Sequence, residues 1–361
     1  MKKVAIVTGV ASGIGRATAE KLLEEGVCDL VALGRAHLAD PLVIYKAKNE
    51  LEHLQRKCIG CMYCFKRAAE GMPIRCTVNP LLGRELHYGD ERLIRNGYGK
   101  TVVVVGGGPA GMQASIILKK RGFNVVLLEK NETLGGNMNL ADKPPHKHLI
   151  QELIDTMTCE LNELGVDVRV NTEATTENVA AFEPYGVILA CGGIDIVPNV
   201  PGADGENVYM TEEVLSGRVV LKGKRIAVIG GGVTGLETAE FLCVDNKVTI
   251  VEMMEDVGTD LYRSVKTLLL QRLYAADVVI KTGHALTEIG KKAVKLQIVS
   301  SAHETELDCD TVVIAMGARP NIPMIEQFEE SFDYVVPVGN TIAPGIIADA
   351  MKSGNDRAFV F

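Results

Sequence analysis

The sequence predicts an α/β protein built on two nested Rossmann-like dinucleotide-binding domains, and three observations carry that expectation. Two segments about 120 residues apart, KTVVVVGGGPAGMQASIILKKRGFNVVLLEK (100–130) and KRIAVIGGGVTGLETAEFLCVDNKVTIVEM (224–253), repeat one design. In each, an apolar β-branched run leads into a glycine turn, an amphipathic helical pattern and a second apolar run that ends in an acid, which is the pattern of a βαβ unit. The chain has 361 residues, 47% hydrophobic and 23% charged, enough to bury more than one core.

Taken in order, MKKVAIVTGVASGIGRATAEKLLEEG reads as strand, turn and helix, followed by one clear strand in DLVALGR. A loop, a charge-rich helical pattern and a cysteine-rich segment come next, and no complete sheet can be assembled from residues 1–98. After the first βαβ unit a helical pattern runs from about His148 to Leu164, followed by the strand-like DVRVN and GVILACGG. The linker PNVPGADGENV precedes the second unit. Beyond it lie a helix from Ser264 to Ala275, strands near VVIK and VKLQIV, and the strand-like TVVIAMGARPN. The stretch YVVPVGNTIAPGIIADAMKSG reads as a short strand, a loop and a helix.

A formal charge of -8 and a pI near 5.5 speak against a nucleic-acid surface, for which no basic stripe is present. No run is long and apolar enough to span a membrane, and glycine and Thr8 interrupt the N-terminal apolar run too early for a secretory signal. The expected location is therefore cytoplasmic, where thiols stay reduced and clustered cysteines bind metals more often than they form disulfides.

Each part of the glycine motif has a job. Gly106 permits the tight turn, Gly108 lets the backbone approach a pyrophosphate, and Gly111 allows close helix packing, while the helix N-terminus faces negative charge. Glu129 would accept hydrogen bonds from a ribose. Gly230, Gly232, Gly235 and Glu252 repeat the pattern. A carboxylate there favours a free 2′-hydroxyl and repels a 2′-phosphate, so NADH is expected over NADPH. Two such units suggest one FAD and one nicotinamide dinucleotide.

The segment CIGCMYCFKRAAEGMPIRC places Cys58, Cys61, Cys64 and Cys76 in a C-x2-C-x2-C-x11-C spacing. That spacing suits thiolate ligation of one compact centre, and a 4Fe-4S cluster and structural zinc both remain open. Paired disulfides are disfavoured by compartment, and four unligated cysteines are the plain alternative. Cys28, Cys159, Cys191, Cys243 and Cys309 lie in or beside apolar runs and read as core residues. The seven histidines show no metal-ligand spacing.

The series GGGPAG, LLEK, LGGNM, LACGG, GGGVTGLE, AMGARPN and VGN resembles the disulfide-reductase-like flavoproteins over about residues 99–361. The resemblance implies an FAD domain at 99–220 and 306–361 with a nicotinamide domain at 221–305 inserted into it. It implies that Gly106, Gly108, Pro109, Ala110, Gly111, Glu129, Lys130, Gly135, Gly136 and Gly192 line the FAD site, joined by Gly339 and Asn340 near the ribityl chain. Gly230, Gly232, Gly235 and Glu252 then belong to the nicotinamide side, and Gly317, within 306–361, is a further cofactor-binding candidate. Asn340 stands where the family usually has Asp. No C-x-x-C or C-x4-C follows the first unit, so disulfide-reductase chemistry is not expected.

The order DLVALGRAHLADP, the cysteines, CTVNPLLGRE and GKTVVVVGGGPAG is similar to the C-terminal part of the old yellow enzyme-like iron–sulphur flavoenzymes, such as the 2,4-dienoyl-CoA and enoate reductases. This second resemblance covers about residues 20–361. It implies that Cys58, Cys61, Cys64 and Cys76 hold a 4Fe-4S cluster across residues 51–98, although two residues rather than three separate Cys61 and Cys64. In that family a TIM barrel carries FMN. Here only its end is represented, with Gly34 and Arg35 at the phosphate-contacting turn, so FMN is not expected in this chain. VTGVASGIGR also resembles the opening of short-chain dehydrogenases, making residues 1–50 a mosaic of that start and a barrel remnant. Their Tyr-x-x-x-Lys pair is matched only by Tyr262 and Lys266, a coincidence of spacing.

The expected function is an FAD-dependent NADH oxidoreductase that passes electrons through a 4Fe-4S cluster to an FMN-bearing partner or another acceptor. The alternative is a cofactor-binding remnant or assembly module without turnover.

Overall fold

The computed structural model describes residues 5–6, 21–22, 24–26 and 31–361. It divides into two compact units. The first comprises 1–138, 149–192 and 321–361, and the second 139–148 and 193–320.

In the first unit five parallel strands lie side by side in the order Val335–Pro337, Gly186–Leu189, Thr101–Val105, Asn124–Leu128 and Asp167–Arg169. The chain enters at the central strand, Thr101–Val105, steps outward twice, then returns to the other side. That reversal opens a crevice at the carboxyl ends of the strands, where α/β sheets bind ligands. The second unit repeats the plan with Val279–Lys281, Lys247–Val251, Arg225–Ile229, Thr311–Ile314 and Val208–Met210. Its central strand is again the one that leads into a glycine loop.

A continuous apolar strand is explained by burial on both faces. Along Arg225–Ile229, Ile226 and Val228 join one core with the helix residues Leu236, Ala239, Leu269 and Leu273. Ala227 and Ile229 point into another core with Ile289, Val294 and Leu296. The latter three come from an antiparallel sheet of His284–Ile289, Ala293–Ile298 and Glu304–Asp308, which covers that face. Each fully buried branched side chain contributes about 1.5–3 kcal/mol.

The unit boundaries differ from those expected at 220/221 and 305/306. Thr311–Ile314 pairs with Arg225–Ile229 and with Val208–Met210, so both outer segments complete the second sheet, and the units divide at 192/193 and 320/321. The last helix also runs further, Ile347–Val360, straight through Gly354. At the N-terminal side, Ala5–Ile6 pairs in parallel with Val31–Ala32, and the helices Arg35–Ala39 and Val43–Lys48 follow. The VTGVASGIGR turn beyond Ile6 and Cys28 lie outside the described residues. Among the described residues no helix is long and apolar enough to cross a membrane.

Candidate functional site

The two glycine loops make the same contacts, residue for residue. Gly106 and Gly230 both have positive φ, +104° and +111°, and a Cβ on either would overlap a carbonyl oxygen, of Ala190 or of Ala315. Gly111 and Gly235 sit on the first turn of helices Pro109–Lys120 and Val233–Leu242, where a Cβ would overlap the carbonyl of Gly106 or Gly230. These four positions require glycine for the fold itself. Gly108 and Gly232 do not. They are extended, with φ near −70°; a Cβ on Gly108 would come no closer than 3.9 Å to the Gly136 Cα, and one on Gly232 would meet nothing within 4 Å. Each precedes a helix N-terminus that no side chain caps, so the open space lies where backbone N–H groups and the helix dipole favour an anion.

The acids have a role that the spacing did not reveal. Glu129 accepts a hydrogen bond from the Gly107 amide at 2.7 Å with one oxygen, and from the Asn131 amide and side chain at 2.8 Å with the other. Glu252 accepts from the Gly231 amide at 2.6 Å and the Met254 amide at 2.8 Å. Each carboxylate thus pins the middle glycine of its loop, and a carboxylate retains lone pairs for a ribose beyond these bonds. The loops that follow also correspond: the Gly135 amide donates to the Gly107 carbonyl at 2.9 Å, and the Gly258 amide to the Gly231 carbonyl at 2.8 Å. Gly258 went unnoticed in the sequence because VGT lacks the second glycine of LGG. Near Glu252 the exposed Glu255 adds negative charge, whereas Asp256 is paired with Lys266 at 2.6 Å.

Further positions build the first site alone. Gly136, φ +52°, sits so close to Gly108 that its Cβ would be 3.0 Å from the Gly108 Cα. Gly339, φ +60°, approaches Ala110, and its amide donates to Ser353 Oγ at 2.9 Å. Gly354, unmarked in the sequence reading, lets the last helix settle against the Ala110 carbonyl, which any Cβ would overlap. Asn340 Oδ1 accepts from the Gly345 amide at 3.1 Å, so the side-chain oxygen closes its own loop and the NH2 group is what remains to face a hydroxyl. Gly192 and Gly317 share a positive φ in open space, and Lys130 is exposed.

Cys58, Cys61, Cys64 and Cys76 line one cavity with Arg35, Ile59, Met62, Thr77 and Val78. Met62 takes a left-handed turn, φ 58°, between the second and third cysteines, and begins the helix Tyr63–Ala69. Burial pushes the Cys76 thiol up to about 11, against backbone N–H groups of Asn79 and Val78 that pull it down. Burial and the neighbouring Cys61 raise Cys64. Among the described residues, no group of three or more His, Cys, Asp or Glu closes on a single metal-ion position. Of the other cysteines, Cys309 is buried, and Cys191 and Cys243 pack partly buried against cores. Cys159 is half-buried.

A buried polar network joins this segment to the first glycine-loop helix. Arg56 donates to the Val78 carbonyl at 3.1 Å, to Gln113 at 2.8 Å and to Glu160 at 2.9 Å, and Lys120 also donates to Glu160, at 3.1 Å. Gln113 continues to Asn355 at 3.2 Å, and Arg84 forks onto Asp356. Burial would raise the Glu160 carboxyl, but Arg56 and Lys120 outweigh it and hold the group at about 2.

A family model for pyridine nucleotide-disulphide oxidoreductases matches residues 100–333. The chain is 37% identical to an NADH oxidase of Thermoanaerobacter brockii over 98% of its own length and 55% of that protein's. It is 36% identical to a bilirubin reductase of Mediterraneibacter gnavus over 91% of its length and 51% of the relative's. A solved 2-naphthoyl-CoA reductase in complex with 2-naphthoyl-CoA covers 96% of the chain at 25% identity with a TM-score of 0.88, while the chain covers 52% of it. The chain therefore spans about half the length of the relatives it matches.

Proposed function

The chain belongs to the pyridine nucleotide-disulphide oxidoreductase family and corresponds to the C-terminal part of the old yellow enzyme-like flavoenzymes; from that premise we propose that it takes electrons from NADH through FAD and an iron–sulphur centre. The observation that carries this reading is the duplicated loop: two glycine turns, two glutamates on the middle amide and two open cradles at uncapped helix N-termini. One site gains a third wall from Gly339 and Gly354, as a longer ligand such as FAD needs. In the other, Glu252 and Glu255 would repel a 2′-phosphate, which favours NADH over NADPH.

The residues divide the work by position. Gly106, Gly108, Gly111 and Glu129 would hold the FAD pyrophosphate and ribose, and Gly230, Gly232, Gly235 and Glu252 those of the nicotinamide dinucleotide. FAD would supply a hydride acceptor able to release electrons singly, and a cluster would supply a one-electron relay. Four thiols on one cavity, with backbone N–H groups at Cys76 and Cys64, suit thiolate ligation of one centre, and the resemblance to the iron–sulphur flavoenzymes favours a cluster over zinc there. The acceptor beyond the cysteines is an FMN-bearing partner or another oxidant.

The test is an anaerobic absorbance spectrum before and after NADH, with iron and sulphide assayed on the same sample. Flavin bleaching with about four irons per chain supports the proposal. Bound flavin that NADH leaves oxidised defeats the electron-transfer reading, and absence of iron defeats the assignment of the cysteines.

A further inference from the structure

We infer that the Thr77 hydroxyl is a hydrogen-bond donor to the Cys61 sulphur and sets the electron affinity of the group the four cysteines hold. The inference rests on the iron–sulphur reading above. Thr77 Oγ1 lies 3.1 Å from Cys61 Sγ, and the residue is only 4% exposed. It follows Cys76 directly in sequence and lines the same cavity as all four cysteines.

Between a free thiol and a hydroxyl either partner could donate. A ligating Cys61 is a thiolate without a proton, so the hydroxyl must be the donor and the sulphur the acceptor. The Cys76 sulphur receives backbone N–H groups from Val78 and Asn79, and Cys64 one from Phe65. Thr77 extends this shell to Cys61 with a side chain, which mutation can remove. Donors to cluster sulphurs stabilise the more negative, reduced state. Removing the hydroxyl therefore makes the centre harder to reduce.

The experiment compares wild type, Thr77→Val and Thr77→Ser, purified without oxygen, assayed for iron and sulphide, and titrated potentiometrically. In Thr77→Val the ratio of reduced to oxidised centre at a fixed potential should fall about tenfold, equivalent to about 59 mV for a one-electron couple. Thr77→Ser should titrate with wild type. If Thr77→Val does not retain iron, Thr77→Ala, which also lacks the hydroxyl, takes its place. A full iron content with an unmoved potential overturns the donor role, and so does a Ser variant shifted as far as Val, which would indicate packing. Wild type free of iron and sulphide overturns the reading of the cysteines and this inference with it.

Discussion

Replacing Gly232 with alanine separates a ligand's demand for glycine from the fold's. At Gly232 the backbone is φ −68°, ψ −178°, open to any residue, and an added Cβ would meet no atom within 4 Å. Stability should therefore stay within about 0.5 kcal/mol of wild type, or rise slightly because alanine restricts the unfolded chain. Three residues on, the same change at Gly235 would force a methyl into the Gly230 carbonyl. If a pyrophosphate rests on the loop, the Gly232→Ala methyl occupies its space and backs the anion away from the helix N-terminus. Losing one charge-assisted hydrogen bond costs about 1.5–3 kcal/mol, so the Kd for NADH should rise about tenfold to 150-fold. Calorimetric titration with NADH reads the affinity, thermal unfolding reads the fold, and the visible spectrum verifies that FAD stays bound. An unchanged Kd in a folded variant would refute the assignment of the second loop. A Tm lowered by many degrees would refute the claim that the position is structurally free.

Gly111→Ala should do the reverse of Gly232→Ala: the forced separation of strand and helix costs about 3 kcal/mol, read as a lower urea midpoint together with loss of flavin. Glu160→Gln tests the network under the cysteines. A carboxyl held near 2 instead of 4.5 contributes about 3 kcal/mol, fully present above pH 4.5 and lost as pH falls through 2. Wild type should thus be the more stable at pH 7, with the gap narrowing by roughly 2 kcal/mol between pH 5 and pH 3 in urea unfolding; a pH-independent gap would assign the effect to packing. Glu252→Gln removes one of the two oxygens that accept from Gly231 and Met254, and with it the negative charge. NADH affinity should fall about tenfold and discrimination against NADPH should shrink, as competitive titration of the two would reveal.

The glycine loops were legible because backbone geometry left no other residue type at Gly106, Gly111, Gly230 and Gly235, so the requirement is written directly into composition. Gly354 serves the same purpose yet carried no mark in the sequence, since a glycine that admits a neighbouring helix has no motif around it to single it out. The two outer strands of the antiparallel sheet escaped for a different reason, although its middle strand was legible in VKLQIV. Glu304–Asp308, ETELD, alternates exposed and half-buried residues with a single leucine, and His284–Ile289 is half-buried nearly throughout, so neither carries an apolar rhythm. The boundary at 320/321 was invisible because Thr311–Ile314 is as apolar as the strands of the first sheet; partner choice among parallel strands is settled by crossovers that local pattern does not encode. The cysteine spacing was plain in the sequence, whereas Arg56 and Glu160, 104 residues apart, become partners only through the fold.

The four crossings of the chain between units, at 138/139, 148/149, 192/193 and 320/321, bear on how the protein is made. On a ribosome, residues 193–320 emerge as one uninterrupted stretch that holds every strand of the second sheet. The first sheet must wait. Its edge strand Val335–Pro337 and the helix that seats Gly354 on Ala110 appear only after the second unit has been synthesised. If the first unit holds FAD and the second the nicotinamide dinucleotide, as proposed, a half-built flavin site is exposed during the interval when the second unit can already close, and flavin capture becomes a late event in biogenesis. Starving cells of riboflavin should therefore accumulate chains that are protease-sensitive in the first unit and protected in the second.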